Sequence, residues 1–236
     1  MPTDSPCATG ASERDKVRLA VYDFDGTCIH GNSPVLLVNY LMRKRMLTVW
    51  QGFVIGMWGL RYKLRLPQDE ASVRSKVFRP FDGVSSEEAD AFLRDFYDEV
   101  VASRWRADAD ASMRENAAQG CYVMVVTATW QAIVDRAMED RPFEHAVATR
   151  MLVDEDGNYT RTVDGLPMEG AEKLRAVEDF ANERFGEGGW ELARAYGDHH
   201  SDRALLAAAT CPCAVDPDKP LRRTARKLGW PILAWA

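Results

Sequence analysis

Short apolar runs alternate with helical patterns along the chain, and this alternation predicts the fold class. Apolar runs at 17–22, 121–126 and 192–196 have the length and composition of β-strands. The run at 121–126 is continuously apolar, as expected for a central parallel strand that is buried on both faces. Helical patterns lie at 107–119, around Ile133, and at 172–185, 202–209 and 221–228. Strands that alternate with helices predict an α/β fold, a doubly wound parallel sheet with a Rossmann-like core.

Two further patterns predict modules beside that core. Residues 33–105 are mostly helical in pattern, and Ser85-Ser-Glu-Glu88 within them matches a capping box that opens a helix. We therefore expect a helical cap at 33–105, inserted after the first strand, and a core made of 17–32 and 106–236. A turn signal at Asp156-Gly157, between two β-prone stretches, predicts a small β-hairpin flap.

The 236-residue chain has an ordinary globular composition, with 46% hydrophobic and 28% charged residues. Residues 1–16 are polar and small, without an apolar stretch, and we expect a disordered leader there. Five cysteines lack the spacing of a disulfide framework and no secretory signal precedes them, so the cytoplasm is the expected compartment. The net charge of −6 and the lack of a nucleic-acid motif argue against a nucleic-acid partner.

Charge is distributed unevenly near the start of the predicted cap. No acidic residue lies between Asp25 and Asp69, whereas six basic residues do: Arg43, Lys44, Arg45, Arg61, Lys63 and Arg65. The apolar stretch 46–60 among them is too short to span a membrane, which takes about 20 apolar residues. It is either a cap helix whose basic neighbours attract a phosphorylated substrate, or a segment that lies on an anionic membrane surface.

The strongest chemical signal is a pair of carboxylates at the end of the first strand. Residues i and i+2 of a strand point to the same side, so Asp23 and Asp25 can converge on one point, followed by a turn at Gly26. Two neighbouring carboxylates repel each other, and a divalent cation relieves that repulsion. The pair suits a nucleophile beside a general acid, both gathered around Mg²⁺.

Three further pieces of the sequence fit this carboxylate pair. Thr127 follows a central strand, where its hydroxyl and the next N–H groups can bind a phosphate, although a simple helix N-cap is the alternative. Lys173, near the start of a helix, offers a positive charge, although most helical lysines are merely solvated. Asp198 and Asp202 lie four residues apart after a strand, a spacing that suits one metal ligand and one supporting carboxylate.

Taken together, these motifs resemble those of the haloacid dehalogenase superfamily of phosphatases, in its phosphoserine-phosphatase-like branch. The resemblance covers nearly everything after residue 16 and implies that the helical insertion is the cap of that branch. It rests on four motifs in a specific order: Asp23-Phe-Asp-Gly-Thr27, Val126-Thr-Ala-Thr129, Lys173, and Gly197-Asp-x-x-x-Asp202.

The resemblance implies a role for each motif residue. Asp23 would attack phosphorus and become an aspartyl-phosphate, and Asp25 would protonate the leaving alcohol and then activate water. Mg²⁺ would be bound by Asp23, the Asp25 backbone carbonyl and Asp198, with Asp202 supporting the metal site. The phosphoryl oxygens and the nucleophile would be held by Thr127, the Ala128 N–H and Lys173.

Two departures from the family pattern bear on the substrate. Asn32 stands where phosphoserine phosphatases of this branch carry a glutamate for the substrate ammonium, and Lys76, with Arg74 close by, is the nearest counterpart of their cap arginine. We therefore expect a small anionic phosphate ester rather than phosphoserine as substrate.

Other readings of the function and of the histidines stay open at this point. A phosphatase for phospholipid headgroups that docks on a membrane is one alternative, and a non-catalytic module that binds a phosphorylated ligand is another. His199 and His200 lie inside the Gly197–Asp202 motif and His30 lies close after the first motif, so each could face the substrate or be incidental.

Overall fold

The computed structural model describes residues 16–48, 79–165 and 168–236, and its centre is a parallel β-sheet. The six strands lie in the order β3–β2–β1–β6–β7–β8, and every neighbouring pair is parallel. The strands are β1 (Val17–Tyr22), β2 (Cys121–Trp130), β3 (His145–Thr149), β6 (Trp190–Gly197), β7 (Cys211–Val215) and β8 (Ile232–Leu233). The strands β2 and β3 extend the sheet on one side of β1, and β6, β7 and β8 extend it on the other. The predicted doubly wound α/β fold is therefore confirmed.

Helices pack on both faces of this sheet. The helices of the described ranges are α1 (Ser33–Arg43), α2 (Ser86–Phe96), α3 (Ala107–Ala118), α4 (Gln131–Asp140), α5 (Ala171–Phe185), α6 (Arg203–Ala208) and α7 (Lys219–Leu228). Of these, α2 packs on α4. Side chains of β1 alternate between two hydrophobic cores, since Ala20 and Tyr22 pack with α3 and α4. Leu19 and Val21 pack with α5, α6 and α7 on the opposite face. This burial of both faces explains why the central strands are continuously apolar.

Some element boundaries differ from the sequence prediction. β2 extends to Trp130, beyond the predicted end at 126, and the short strands β3 and β8 were not predicted. β3 has the sequence His-Ala-Val-Ala-Thr, which is short and rich in alanine and therefore carries little strand signal. The helix that begins after Ser85 continues past α2 as a π-helical turn, Tyr97–Val101.

The predicted hairpin is confirmed, and Ser85 is confirmed as the N-cap residue of α2. β4 (Met151–Val153) and β5 (Tyr159–Val163) form the antiparallel flap, and Ser85 Oγ accepts a hydrogen bond from the Glu88 N–H at 3.2 Å. Tyr159 donates from its hydroxyl to Asp90 Oδ1 at 2.6 Å, so the flap is bound to α2.

The chain leaves and re-enters the core through two adjacent segments. The His30 N–H donates to Arg104 O at 2.8 Å, and the Arg106 N–H donates to Cys28 O at 2.9 Å. These contacts hold the two linkers of the insertion side by side. The described parts of 33–105 are largely helical, and the exact cap boundaries stay a prediction.

Some sequence predictions concern residues that the structure does not describe. These are residues 1–15, Lys76 and most of the apolar stretch 46–60. Within the described ranges, no helix has the length and apolar character needed to cross a membrane.

A buried polar cluster fixes the two strand ends that lead into the carboxylate motifs. Tyr22 of β1 and Tyr196 of β6 are register partners, and their rings stack with centroids 4.2 Å apart. The buried Asn116 amide of α3 donates to the Tyr22 hydroxyl at 2.6 Å and to the Tyr196 hydroxyl at 3.1 Å. Asp23 and Gly197 follow these tyrosines directly, so the cluster sets where both turns begin.

We expect Asn116→Ala to lower the free energy of unfolding by about 1–3 kcal/mol, because it removes hydrogen-bond donors from two buried hydroxyls. Urea denaturation of the purified protein measures this change. Asn182→Ala is the matched control, since Asn182 is exposed on α5 and accepts a single bond, from Trp190 Nε1. The control should lose about 0.5 kcal/mol or less, and equal losses in both variants would contradict the interpretation.

Candidate active site

The Asp23 carboxylate lies at the carboxyl end of β1 and contacts a buried lysine. Lys173 is near the start of α5, and its Nζ donates to Asp23 Oδ1 and to Asp202 Oδ1, each at 2.7 Å. All three side chains are buried, with relative exposures of 5% for Asp23, 4% for Lys173 and 0% for Asp202. The Asp23 N–H donates to Tyr196 O, which joins the end of β1 to β6. The structure therefore brings together three residues that the sequence motifs predicted.

Asp198 approaches this group across the glycine turn that follows β1. Gly26 has φ +78°, and a Cβ atom there would collide with the Asp198 carboxylate. A Cβ atom at Gly197 would similarly lie 2.8 Å from the Asp202 Cβ. Thr27 Oγ1 is 3.4 Å from Asp198 Oδ1, within donating distance. The two glycines are therefore needed so that the carboxylates can lie this close to each other.

Burial makes this carboxylate cluster costly unless a positive charge compensates it. Burial and the neighbouring acids raise the pKa of Asp23 to about 7 and that of Asp198 to about 9. The Lys173 ammonium acts in the opposite direction and lowers both values. Burial is the largest cause of both shifts, and the neighbouring carboxylates add to it, so the ionised cluster is unfavourable even beside Lys173.

The residues fit a divalent metal ion of the Mg²⁺ type. One carboxylate oxygen from each of Asp23, Asp198 and Asp202 lies within 4.8 Å of the others. Hard oxygen ligands are those that Mg²⁺ prefers. Asp202 is held by Lys173 and also accepts from the His199 N–H at 3.1 Å, which fits a supporting carboxylate better than a direct ligand.

Asp25 is held by the first residue of α1. The Ser33 N–H donates to Asp25 Oδ1 at 2.6 Å, and the Ser33 hydroxyl donates to Oδ2 at 2.9 Å. Burial raises the pKa of Asp25 to about 6, while the two bonds from Ser33 oppose the shift. The carboxyl group is thus fixed in place with a pKa close to neutral pH.

The segment around Thr127 is more extended than the sequence suggested. Thr127 is 1% exposed within β2, and the N-cap of α4 is Trp130, so the alternative of Thr127 as a helix N-cap is wrong. The Thr129 N–H donates to Thr127 Oγ1 at 3.1 Å, and Ala128 O accepts from the Thr149 hydroxyl at 2.8 Å. These bonds hold the Thr127-Ala128 backbone rigidly beside the end of β1.

Asn32, one of the residues tied to substrate recognition, has a structural role. It is exposed and caps α1, because its side-chain oxygen accepts from the Val35 N–H at 3.2 Å. Lys76, the other such residue, lies outside the described residues.

The histidines lie at the periphery of the carboxylate cluster. His30 is exposed on the cap linker. His199 Nδ1 accepts from the Ser201 N–H at 3.3 Å, and its Nε2 lies 3.6 Å from Asp218 Oδ2. His200 is half-buried in the turn that leads to Asp202.

Ser33 and Asp218 belong to the site but were not predicted from the sequence, and Thr129, the last residue of the second motif, was given no role there. The Asp218 N–H donates to Asp198 O at 2.8 Å and so holds the turn that carries Asp198. Asn32-Ser33-Pro34 is a recognisable helix start, and this signal could have placed Ser33 near Asp25. Nothing in the sequence indicates the contacts of Thr129 and Asp218, because their partners are distant along the chain.

Comparison with known proteins agrees with this geometry. A family model described as haloacid dehalogenase-like hydrolase matches residues 20–207. The chain is 32% identical over 143 residues to the "Inhibition of morphological differentiation protein" of Streptomyces azureus, an alignment that covers 60% of the chain and 48% of that protein. It is 27% identical to "Phosphoserine phosphatase SerB1" of Mycobacterium tuberculosis, covering 98% of the chain and 77% of that protein.

A solved structure extends the similarity to the whole fold. The protein of unknown function from Bordetella pertussis Tohama I superposes with a TM-score of 0.81 at 23% identity, over 92% of this chain and 98% of that one. The alignment with the Streptomyces protein spans only about half of that relative, and the solved structure supports the fold alone. The family model nevertheless covers most of the chain. The chain therefore belongs to the haloacid dehalogenase-like hydrolases, and its predicted resemblance to their phosphoserine-phosphatase-like branch is confirmed.

Proposed function

We propose that this protein is a Mg²⁺-dependent phosphomonoester hydrolase that works through an aspartyl-phosphate on Asp23. One observation carries the proposal: the buried Asp23 carboxylate is paired at 2.7 Å with Lys173, and Asp25 and Asp198 lie beside it. The phosphatase class agrees with the family and with the name of the mycobacterial relative. A module that only binds a phosphorylated ligand would not need a nucleophile and a general acid together.

Asp23 is the nucleophile in this mechanism. Lys173 holds Oδ1, so attack on phosphorus comes from the other carboxylate oxygen. A bond forms between that oxygen and phosphorus while the bond from phosphorus to the ester oxygen breaks. The Lys173 charge also keeps Asp23 more ionised than burial alone would permit.

Asp25 moves the proton in both half-reactions. It gives its proton to the leaving alcohol, then takes one from the water that hydrolyses the aspartyl-phosphate. A pKa of about 6 suits this exchange near neutral pH, because neither protonation state is strongly disfavoured. Thr127 and the Ala128 N–H, on the strand next to β1, bind the phosphoryl oxygens.

Mg²⁺ would be held by carboxylates of Asp23 and Asp198 and by the Asp25 backbone carbonyl, with Asp202 supporting them. When bound, it neutralises the negative charge that gathers between the phosphate and the carboxylates. The apposition of three acids with a single lysine supports this assignment.

The proposed substrate is a small anionic phosphate ester rather than phosphoserine. The Asn32 side chain is neutral and cannot form an ion pair with a substrate ammonium group, and it already caps α1. Every charged residue between Asp25 and Asp69 is basic, which favours substrates that carry only negative charges. The mycobacterial relative is named for phosphoserine, yet 27% identity allows the substrate to differ.

The proposal includes the division of the chain into a catalytic core, residues 17–32 and 106–236, and a cap, residues 33–105. The cap would close over the carboxyl ends of the strands, where ligands of doubly wound sheets bind. Docking of the stretch 46–60 on an anionic membrane remains an alternative for the cap, and most of this stretch lies outside the described residues.

The first prediction concerns the two motif aspartates. Asp23→Asn should abolish turnover of every phosphate ester, because an amide is a poor nucleophile. Asp25→Asn should lower kcat/KM for glycerol phosphate by about 10²–10⁴-fold. The loss of kcat/KM, which reports formation of the aspartyl-phosphate, should be much smaller for p-nitrophenyl phosphate, whose leaving group needs no proton. Steady-state kinetics with Mg²⁺ measure both. Asp179→Asn, an exposed aspartate on α5, is the control and should match wild type. Wild-type rates in Asp23→Asn would refute the mechanism.

The second prediction links Mg²⁺ to pH. Because the pKa values of Asp198 and Asp23 are raised in the folded state, the metal-free folded protein binds more protons than the unfolded chain. Its free energy of unfolding should therefore fall as pH rises from about 4 to about 9. Mg²⁺ binds the ionised carboxylates and so restores the stability that the metal-free protein loses at high pH. The Mg²⁺-induced rise in Tm should therefore be larger at about pH 8 than at about pH 6.

Thermal unfolding with Mg²⁺ or EDTA measures this difference. In Asp198→Asn the neutral amide carries no proton linkage, so both the fall in stability and the effect of Mg²⁺ should shrink. A Tm shift that is independent of pH, or one that Asp198→Asn leaves unchanged, would contradict the metal assignment.

The third prediction concerns substrate choice. kcat/KM should be lower for phosphoserine than for glycerol phosphate, since an unmatched desolvated ammonium costs several kcal/mol. Asn32→Asp is the diagnostic variant: aspartate caps a helix as well as asparagine does and adds a negative charge. It should raise kcat/KM for phosphoserine relative to glycerol phosphate. A clear wild-type preference for phosphoserine would refute the substrate proposal, and phosphatidylglycerophosphate in the same assay tests the lipid alternative.

A further inference from the structure

We propose that Ser33 is a positioning residue that orients the Asp25 carboxyl group for proton transfer, and that Thr129 in turn orients the Ser33 hydroxyl. This inference rests on the proposed function, because it assumes that Asp25 is the general acid and base. Ser33 lies outside the four sequence motifs, and Thr129 is the last residue of the second motif, where the resemblance gives it no role.

Ser33 donates a hydrogen bond to each oxygen of the Asp25 carboxyl group. Its backbone N–H is 2.6 Å from Oδ1, and its hydroxyl oxygen is 2.9 Å from Oδ2. Two bonds from one residue fix the plane of the carboxyl group, whereas a single bond would let it rotate. Ser33 is 0% exposed, so water does not compete for these bonds.

The start of α1 places Ser33 in this position. Asn32 caps the helix, so Ser33 is its first residue, and Pro34 follows. N–H groups in the first turn of a helix have no partner within the helix, and here the Ser33 N–H is used by Asp25. The positive end of the helix also favours a carboxylate at this point.

Thr129 completes the arrangement from the neighbouring strand. Its hydroxyl oxygen lies 2.5 Å from Ser33 Oγ, and Thr129 is fully buried. The Ser33 hydroxyl has only one hydrogen. When Ser33 donates that hydrogen to Asp25, the hydrogen in the Ser33–Thr129 contact must come from Thr129. Thr129 thereby directs the Ser33 hydroxyl toward Asp25.

The same contacts connect the proton-transfer group with the phosphate-binding segment. The Thr129 N–H donates to Thr127 Oγ1 at 3.1 Å, and Thr127 is proposed to bind a phosphoryl oxygen. Asp25, Ser33, Thr129 and Thr127 therefore form one continuous buried chain of hydrogen bonds. This chain sets the distance between the proton donor and the bound phosphate, which general acid catalysis requires to be near hydrogen-bond length.

The expected effect of Ser33→Ala is selective. The variant keeps the backbone bond but loses the hydroxyl, so Asp25 is held at one oxygen only. We expect kcat/KM for glycerol phosphate, which reports the steps up to formation of the aspartyl-phosphate, to fall about 10- to 100-fold, less than the full contribution of a general acid. kcat/KM for p-nitrophenyl phosphate should fall by less than about threefold, because its leaving group departs without a proton. Hydrolysis of the aspartyl-phosphate is common to both esters, so a change in that step would lower kcat for both alike.

Companion variants separate positioning from loss of structure. Ser33→Thr keeps a hydroxyl and should restore most of the activity toward glycerol phosphate. Thr129→Val keeps the shape of the side chain without its hydroxyl. It should lose less activity than Ser33→Ala, and the loss should again be larger for glycerol phosphate than for p-nitrophenyl phosphate. Ser112→Ala is the matched control: Ser112 is also buried and bonds the Tyr22 hydroxyl at 2.9 Å, away from the carboxylates. It should not distinguish the two esters.

A double variant gives the decisive result. In an Asp25→Asn background, adding Ser33→Ala should change kcat/KM for glycerol phosphate by less than about twofold, since there is no proton donor left to position. An equal loss of kcat/KM for both esters in Ser33→Ala, or a full additional loss in the double variant, would refute the inference while leaving the proposed function intact. A wild-type protein that hydrolyses neither ester with Mg²⁺ would overturn the proposed function, and this inference with it. If Ser33→Ala fails to fold, Thr129→Val and Ser33→Thr decide the question by the same ester comparison.

Discussion

The Lys173 ammonium between the Asp23 and Asp202 carboxylates is the interaction on which the rest of the site depends. The buried Asp23 and Asp202 and the half-buried Asp198 would repel each other, and the pKa values of Asp23 and Asp198 are raised even with the lysine present. Removing one partner from a buried ion pair typically costs about 3–5 kcal/mol, because the other charge is left without compensation. The burial of Lys173 is thus a condition for placing the Asp23 carboxylate, the proposed nucleophile, inside the protein.

The parallel sheet supplies the geometry that this charge balance needs. Parallel strands lie about 4.8 Å apart, and Tyr22 of β1 is directly paired with Tyr196 of β6. The turns that follow, which carry Asp23 and Asp198, therefore lie next to each other without help from either side chain. Gly26 allows the final approach, since any side chain there would collide with Asp198. The fold brings the acids together, and Lys173 makes their proximity tolerable.

How much could be predicted from the sequence depends on how far apart the interacting residues lie. Asp23 and Asp25 are two residues apart and strand periodicity predicted their convergence, but β1 ends at Tyr22 and both residues lie after it. Lys173 lies 150 residues from Asp23, and only the family resemblance indicated its role. Ser33 and Thr129 are 96 residues apart, and no local pattern predicts that their hydroxyls meet. The strand β3 was missed because five residues rich in alanine carry a weak signal that the tertiary pairing with β2 overrides.

The most direct test of the central claim is to trap the phosphorylated residue. The protein would be mixed with substrate and Mg²⁺, quenched in acid during turnover, and treated with borohydride, which reduces an aspartyl-phosphate to homoserine. Peptide mapping by mass spectrometry then locates the changed residue. The account predicts homoserine at position 23, in wild type and not in Asp23→Asn. Reduction at any other aspartate, or phosphate recovered on a histidine or serine, would contradict it.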